Sequence, residues 1–273
     1  MPPPTAAIFK AIDQDDTSDL RAMLDTDPGL VHAKHSNPDL YHWTTLQYAA
    51  ARGKLPACRL LVEKGAEVYT NPMNTYPPVI QAVWMKHPDI VDYFLKEIPD
   101  KADGTNKLGI TLNLAAREGW IDIVSKHLEA DPLAVHQRGW IGDTCLHWPS
   151  HNNYADIVVL LLDAGADIEA DEINWTGGKP LHWASEHAPS CVDVLLRRGA
   201  KVNSRNEMPG TKCYGMTPLI MNATQKDDCA EVCELLLEAG ADIHAKDAAG
   251  KTTLEWANKT KLKRITTVLE NHS

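Results

Sequence analysis

Two histidines near the middle of the chain have a spacing that could support metal or acid/base chemistry. In the segment DTCLHWPSHNN, residues 143–153, His147 and His151 lie four positions apart, and Trp148 follows the first of them. Residues four apart on an α-helix share a face, so the two imidazoles could bind one zinc ion. The same pattern could also belong to a catalytic site or to a structural motif that is repeated along the chain.

Similar segments do recur. TTLQYAAAR begins at Thr44, KPLHWASEH at Lys179, MTPLIMNAT at Met216 and TTLEWANKT at Thr252. Each unit has an apolar anchor, and successive anchors are 33 to 38 residues apart: Leu46, Val79, Leu112, Leu146, Leu181, Leu219 and Leu254. A regular period of this length predicts a solenoid, in which short helix pairs stack because one pair cannot cover its own apolar surface.

The repeated segments resemble the ankyrin repeat. GDTCLHWPS, GKPLHWAS, GMTPLIMNA and GKTTLEWAN match the first half of its pattern, and Gly-Ala endings at Gly65, Gly165, Gly199 and Gly240 match the second. The resemblance implies an all-α fold, an ankyrin-repeat solenoid of stacked helix pairs with protruding β-hairpin turns. It extends over nearly the whole chain and implies one domain, 1–273, with the first and last of about eight repeats as caps. Their approximate bounds are 3–34, 35–71, 72–104, 105–138, 139–171, 172–205, 206–246 and 247–273.

The resemblance bears on the histidines. His147 and His182 occupy the Thr-Pro-Leu-His position of the family, which implies a structural hydrogen bond between successive turns. A zinc site made by His147 and His151 would lose one ligand to this role, and no HExxH pattern accompanies the pair. We therefore expect no metal site. We also expect no cofactor, because nucleotide-binding glycine motifs are missing from the sequence. The aromatic residues that follow this position are expected in the core: Tyr48, Trp148, Trp183 and Trp256.

Charge and composition indicate which partners and which cellular compartment to expect. The net charge of −10 disfavours nucleic acid and anionic membrane surfaces. The N-terminal residues show no signal-peptide pattern, and no apolar run is long enough to span a membrane. The six cysteines form no paired CxxC motif, which predicts free thiols and a reducing compartment, the cytoplasm or the nucleus. We expect a monomer.

Two sets of positions vary in ankyrin folds and are expected to carry function. The first set closes the first helix of each repeat and lines the concave groove: Ala51–Arg52, Trp84–Met85, Arg117–Glu118, His151–Asn152, Glu186–His187 and Thr224–Gln225. The second set is the hairpin tips, which are rich in aromatic residues: Tyr41, Trp43, Tyr76, Trp140, Trp175 and Tyr214. Trp and Tyr suit partly exposed recognition surfaces, although these side chains could instead cover neighbouring hairpins.

Two functions are consistent with this pattern. The first is a binding module that recognises a protein partner through an aromatic-rich groove between the third and seventh repeats. The alternative is a small-molecule site, and in its catalytic form an isomerase, cyclase or hydrolase acting on an aromatic or polycyclic metabolite. In that case His151, Glu186 and His187 would carry acid/base chemistry, Arg117 would hold an anionic oxygen, and Trp84, Trp140 and Trp175 would enclose the space.

Overall fold

The computed structural model describes residues 4–37, 42–68, 77–98, 111–139 and 141–272. The described residues form eight helix pairs, and the chain divides into two compact units, 1–110 and 111–273. The prediction of an all-α fold built from stacked helix pairs is confirmed. The single-domain assignment and the repeat bounds stay predictions.

The first unit contains three helix pairs. Their bounds are α1 Pro4–Gln14 with α2 Thr17–Thr26, α3 Thr45–Ala51 with α4 Leu55–Glu63, and α5 Pro78–Trp84 with α6 Pro88–Asp92. The last helix continues as a π-helical turn, Tyr93–Glu97. The first helices of the pairs, α1, α3 and α5, pack against one another, and so do the second helices, α2, α4 and α6.

The second unit contains five helix pairs and follows the same plan. Their bounds are α7 Leu112–Arg117 with α8 Ile121–Ala130, α9 His147–His151 with α10 Ala155–Asp163, α11 Pro180–Ala184 with α12 Pro189–Arg197, α13 Pro218–Thr224 with α14 Ala230–Glu238, and α15 Thr253–Thr260 with α16 Lys263–Asn271. First helices again pack against first helices, and second helices against second helices. This order places the ends of α7, α9 and α11 side by side.

The apolar anchors lie where the period predicts. Leu146 and Leu219 are fully buried, and Leu181 is almost fully buried. Leu161 and Leu195, from the second helices, are also fully buried. Each such side chain contributes about 1.5–3 kcal/mol to folding, and the neighbouring pair supplies part of the surface that covers it.

Local sequence sets where the helices begin and end. The Thr252 and Glu255 side chains form a reciprocal capping box at the start of α15, as Thr44 and Gln47 do for α3. Gly165 and Gly199 follow second helices with φ of +92° and +90°, in the left-handed region. A Cβ at either position would meet no atom within 4 Å, so the backbone conformation, and not lack of space, is what favours glycine there.

The predicted hairpin turns are present, and they are closed by single β-bridges. Within the described residues they pair through isolated antiparallel bridges, which join Lys34 to Thr44, Arg138 to Thr144 and Lys246 to Thr252. Arginine side chains connect successive turns. The Arg138 guanidinium donates to the carbonyl oxygens of Gly142 and Asp171, at 2.6 and 2.7 Å, and so joins its own turn to the next one.

The structural role expected for two histidines is confirmed. His147 Nδ1 accepts from the Thr144 N–H at 3.0 Å, and its Nε2–H donates to the Gly178 carbonyl of the next repeat at 3.0 Å. His182 makes the same pair of contacts with Lys179 and with the Met216 carbonyl. Burial lowers the pKa of both histidines to about 4, so both imidazoles are neutral.

All six cysteines are free, as expected; Cys213 and Cys229 are partly exposed and the other four are buried. Among the described residues, no helix has the length and apolar character needed to cross a membrane.

Acidification should weaken the fold through the two buried histidines. Their pKa of about 4 in the folded chain lies below the ordinary value of 6.5. Between about pH 6.5 and pH 4, these histidines are therefore protonated in the unfolded chain and neutral in the folded chain. Stability is therefore lost as the pH falls. From about pH 7.5 to about pH 5.5, each histidine should remove about 1.4 kcal/mol from the free energy of unfolding, measured by urea denaturation.

His147→Asn should reduce this pH dependence by about that amount. An equal pH dependence in the wild type and in His147→Asn would show that His147 is not neutral in the folded chain.

Candidate functional site

The candidate site lies at the ends of neighbouring first helices in the second unit. Arg117 is the last residue of α7 and His151 is the last residue of α9. Glu186 and His187 follow α11, which ends at Ala184, and the Ser185 hydroxyl donates to the Leu181 carbonyl at 2.6 Å. The predicted helix-end positions of three successive repeats therefore lie next to one another.

Three of the predicted residues converge. His151 Nε2 lies 3.4 Å from Glu186 Oε2, and the rings of His151 and His187 meet edge to face with centroids 4.5 Å apart. One ligand atom from each of His151, Glu186 and His187 lies within 4.8 Å of the other two. The expectation that the chain has no metal site considered His147 with His151, and His147 is buried in its structural role. His151 instead lies beside Glu186 and His187.

Asn152 fixes the orientation of His151. The Asn152 amide Nδ2 donates to the Arg117 carbonyl at 2.8 Å, which turns its Oδ1 toward His151 Nδ1 at 3.0 Å. His151 Nδ1 must then carry a proton, and Nε2 is directed to Glu186. The hydrogen bond with Glu186 raises the pKa of His151, and it outweighs burial, which acts in the opposite direction. The arrangement is suited to a proton transfer between an imidazole and a carboxylate.

Three tryptophans pack together in the second unit, and two of them contact the His151 ring. Trp148 and Trp175 stack with ring centroids 6.4 Å apart, and Trp183 meets both of them edge to face, at 5.1 and 5.7 Å. His151 lies 5.9 Å from the Trp148 ring and 6.2 Å from the Trp183 ring. We call Trp148, Trp175 and Trp183 the tryptophan cluster. It gives the His151–Glu186 pair an apolar boundary on one side.

Arg117 joins the tryptophan cluster from α7. Its guanidinium lies over the Trp148 ring, 4.3 Å from the ring centroid, and its Nε lies 3.6 Å from Glu118 Oε1. Stacking of a guanidinium on an indole is a cation–π contact. Arg117 is thus held against the aromatic surface, and its role in the catalytic hypothesis stays a prediction.

A buried carboxylate positions Trp175. Glu172 is 1% exposed, and its carboxylate accepts the backbone N–H groups of four consecutive residues, Asn174, Trp175, Thr176 and Gly177. Burial alone would raise the pKa of Glu172, but these hydrogen bonds outweigh it and lower the pKa. The buried carboxylate therefore sets the backbone conformation of the hairpin. Trp175, at the tip of this hairpin, is 57% exposed.

The other predicted residues divide between the first unit, one hairpin tip of the second unit and positions outside the described residues. Trp43 and Trp84 belong to the first unit, where Trp43 is partly buried and Trp84 is 41% exposed. Tyr214 lies at a hairpin tip of the second unit and is 43% exposed; its carbonyl accepts the Ala248 N–H at 3.3 Å. Three predicted tip residues lie outside the described residues: Tyr41, Tyr76 and Trp140.

Two aromatic residues of the site were assigned only to the core by sequence. Trp183 is indeed buried, with 3% exposure, and Tyr48 is buried in the first unit. Trp148 is only partly buried, and it carries the Arg117 contact besides packing on Trp183. Trp256 is also partly buried, and it packs against the buried cluster of Met216, Ile220, Met221 and Ala245. The signal was present: Trp148 precedes His151 by three residues, and this spacing puts both side chains on one helix face.

Comparison with known proteins gives consistent results. Models of ankyrin repeats match residues 46–95, 112–206 and 214–248, which together are well over half of the chain. The transient receptor potential cation channel subfamily V member 6 of Rattus norvegicus is 31% identical over 154 residues, which are 52% of this chain and 20% of the channel. The neurogenic locus notch homolog protein 1 of Xenopus tropicalis is 32% identical over 117 residues, 42% of this chain and 4% of that protein. The E3 ubiquitin-protein ligase KEG of Arabidopsis thaliana is 31% identical over 117 residues, 42% of this chain and 7% of that protein. The chain thus spans a fifth or less of the length of these relatives.

Removing the charge of Glu172 should loosen the hairpin that carries Trp175. Glu172→Gln keeps the size of the side chain but replaces one carboxylate oxygen with an NH2 group, which cannot accept a hydrogen bond. The backbone N–H groups that bonded to that oxygen then lose their partner. We expect a loss of about 1–3 kcal/mol in the free energy of unfolding and faster hydrogen exchange at residues 174–177. Glu207→Gln, at an exposed glutamate of the same unit, is the control and should change neither. Unchanged exchange in Glu172→Gln would mean that the turn does not depend on the carboxylate.

Proposed function

The chain belongs to the ankyrin repeat family, and from this we propose that it is a protein-interaction module whose second unit binds a protein segment at the tryptophan cluster. The observation that carries the proposal is the assembly of Trp148, Trp175 and Arg117 into one partly exposed surface. Ankyrin membership supports a protein partner in general, and these residues give the surface through which we propose it is bound.

The residue types at this surface favour a binding role. Trp and Arg are enriched among the residues that contribute most to protein association, because they bury a large area and keep a polar group for orientation. Trp175 exposes 57% of its surface although it is large and apolar. The buried Trp183 ring packs edge to face against Trp175. An apolar anchor from a partner would therefore pack against an aromatic surface whose position is fixed.

Charge suggests the chemistry of the partner. The chain has a net charge of −10, and the carboxylates of Glu186 and Asp227 both lie at the helix-end turns, beside His151 and His187 respectively. Arg117 is already close to Glu118 and to the Trp148 ring. We therefore propose that the partner segment carries lysine or arginine next to an apolar anchor, and that the module acts as a monomer in the cytoplasm or nucleus. Nucleic acid is disfavoured by the same charge.

A peptide-display selection tests this function. A random peptide library is selected on the purified chain, and the enriched peptides are measured against variants. Trp175→Ala and Trp148→Ala should each weaken peptide binding by about 30-fold, equivalent to the roughly 2 kcal/mol of an interface hot spot. Leu133→Ala is the matched control, since Leu133 is a 72% exposed apolar residue in the 3₁₀ turn Pro132–His136, outside the cluster.

Enrichment of basic peptides whose affinity depends on Trp148 and Trp175 would support the proposal. Peptides that bind both tryptophan variants as well as the wild type would contradict the assigned surface, even if they bind the chain tightly.

A second candidate function is favoured by one specific observation, the 3.4 Å approach of His151 Nε2 to Glu186 Oε2 beside the tryptophan cluster. An imidazole–carboxylate pair next to aromatic walls and a guanidinium would suit acid/base isomerisation, cyclisation or hydrolysis of an aromatic metabolite. In this case His151 would donate a proton to the substrate and Glu186 would accept one, while Arg117 would hold an anionic oxygen.

A thermal-shift screen against a metabolite library distinguishes this second function. A ligand at about 100 times its dissociation constant should add roughly 2.7 kcal/mol of stability, which raises the melting temperature by about 2–4 °C. The shift should disappear in His151→Ala and Glu186→Ala and persist in Leu133→Ala. A library with no such ligand, or ligands whose effect survives in both site variants, would remove the small-molecule hypothesis.

A further inference from the structure

The structure brings two imidazoles and one carboxylate to a single point on the second unit, and we propose that His151, Glu186 and His187 bind one zinc ion. The three residues come from two adjacent repeats: His151 ends α9, and Glu186 and His187 follow α11. This set of two nitrogen donors and one oxygen donor is the kind that zinc prefers, and three protein ligands leave one coordination position open.

The distances fit such an ion. Zinc lies about 2.0–2.2 Å from its nitrogen and oxygen ligands, which places two ligand atoms of a tetrahedral site about 3.4 Å apart. The observed separation of His151 Nε2 and Glu186 Oε2 is 3.4 Å, and all three ligand atoms lie within 4.8 Å of one another. Small rotations of the His187 and Glu186 side chains would close the remaining distance.

His151 has an outer partner of the kind seen around metal-bound imidazoles, whereas the carboxylate near His187 lies beyond hydrogen-bond distance. His151 Nδ1 donates to Asn152 Oδ1 at 3.0 Å, and Asn152 is held by the Arg117 carbonyl. This bond leaves Nε2 of His151 for the metal. His187 Nδ1 lies 4.0 Å from Asp227 Oδ2, a carboxylate from the following repeat. Such partners fix the tautomer and the direction of a ligand, and their loss typically weakens metal binding 10- to 100-fold.

The surroundings favour a bound ion over a solvated group of charges. The side chains of His151 and Glu186 are only 27% and 22% exposed, and the ring of Trp183 covers one side of His151. The His187 side chain is more open, with 36% exposure. The open coordination position would accept water or a donor atom from a bound molecule.

Zinc titration of the chain, residues 1–273, tests the proposal. The chain is freed of metal with a chelator, kept reduced without added thiols, and titrated with zinc chloride by calorimetry. We expect saturable binding of one ion per chain. His187→Ala and the near-isosteric Glu186→Gln should each weaken binding at least about 100-fold, and Asn152→Ala about 10-fold or more. His244→Ala, at an exposed histidine of the same unit, should bind as the wild type does.

The thiols provide the sharpest control, because cysteine also binds zinc. Burial raises the pKa of the partly exposed Cys213, and the charge of Glu186 raises it further, so this thiol lies within electrostatic range of the site. Cys213→Ser should retain zinc binding. The proposal would be overturned if Cys213→Ser lost zinc binding while His187→Ala retained it. It would also be overturned if Glu186→Gln bound zinc with wild-type affinity, or if the wild type showed no saturable binding. Melting curves without zinc confirm that each variant folds.

Peptide binding is measured without zinc, and zinc binding is measured without peptide. Each measurement can therefore fail while the other succeeds, which distinguishes failure of the zinc site from failure of the proposed protein-binding function.

Discussion

A helix pair of about thirty residues cannot cover its own apolar side chains, and both units depend on the stacking that covers them. First helices pack on first helices and second helices on second helices, so anchors such as Leu146 and Leu181 become buried at the contacts. Stacking also has a polar part. Neutral His147 and His182 each donate to a carbonyl of the next repeat, which connects successive turns by hydrogen bonds that need no buried charge.

This stacking explains why a chemically rich cluster can form from residues far apart in the sequence. Neighbouring helix ends repeat at nearly constant spacing, so side chains at equivalent positions of adjacent repeats meet. His151 and Glu186 are 35 residues apart and their polar atoms approach to 3.4 Å. The anchors and the turn histidines connect neighbouring repeats, and the helix-end residue Asn152 adds a hydrogen bond to the Arg117 carbonyl of the preceding repeat.

The sequence predicted the repeated elements well and the site only in part. The period, the anchors, the turn histidines and the convergence of His151 with Glu186 and His187 all follow from residues that recur at fixed intervals. The tryptophan cluster does not, because the placement of Trp175 depends on the hydrogen bonds from one hairpin to the Glu172 carboxylate, and these bonds have no periodic signature. Likewise, the Trp148 position is normally a core position, and only the contact with Arg117 shows that one face of this indole is used differently.

Glu172 also determines what a binding partner would encounter. Its carboxylate holds four consecutive backbone N–H groups, so the conformational entropy of this hairpin is lost when the chain folds and not when a ligand arrives. Trp175 thus presents a preorganised indole. A partner would have to match its fixed position, and selection among partners would depend on complementarity of shape instead of adaptation by the loop.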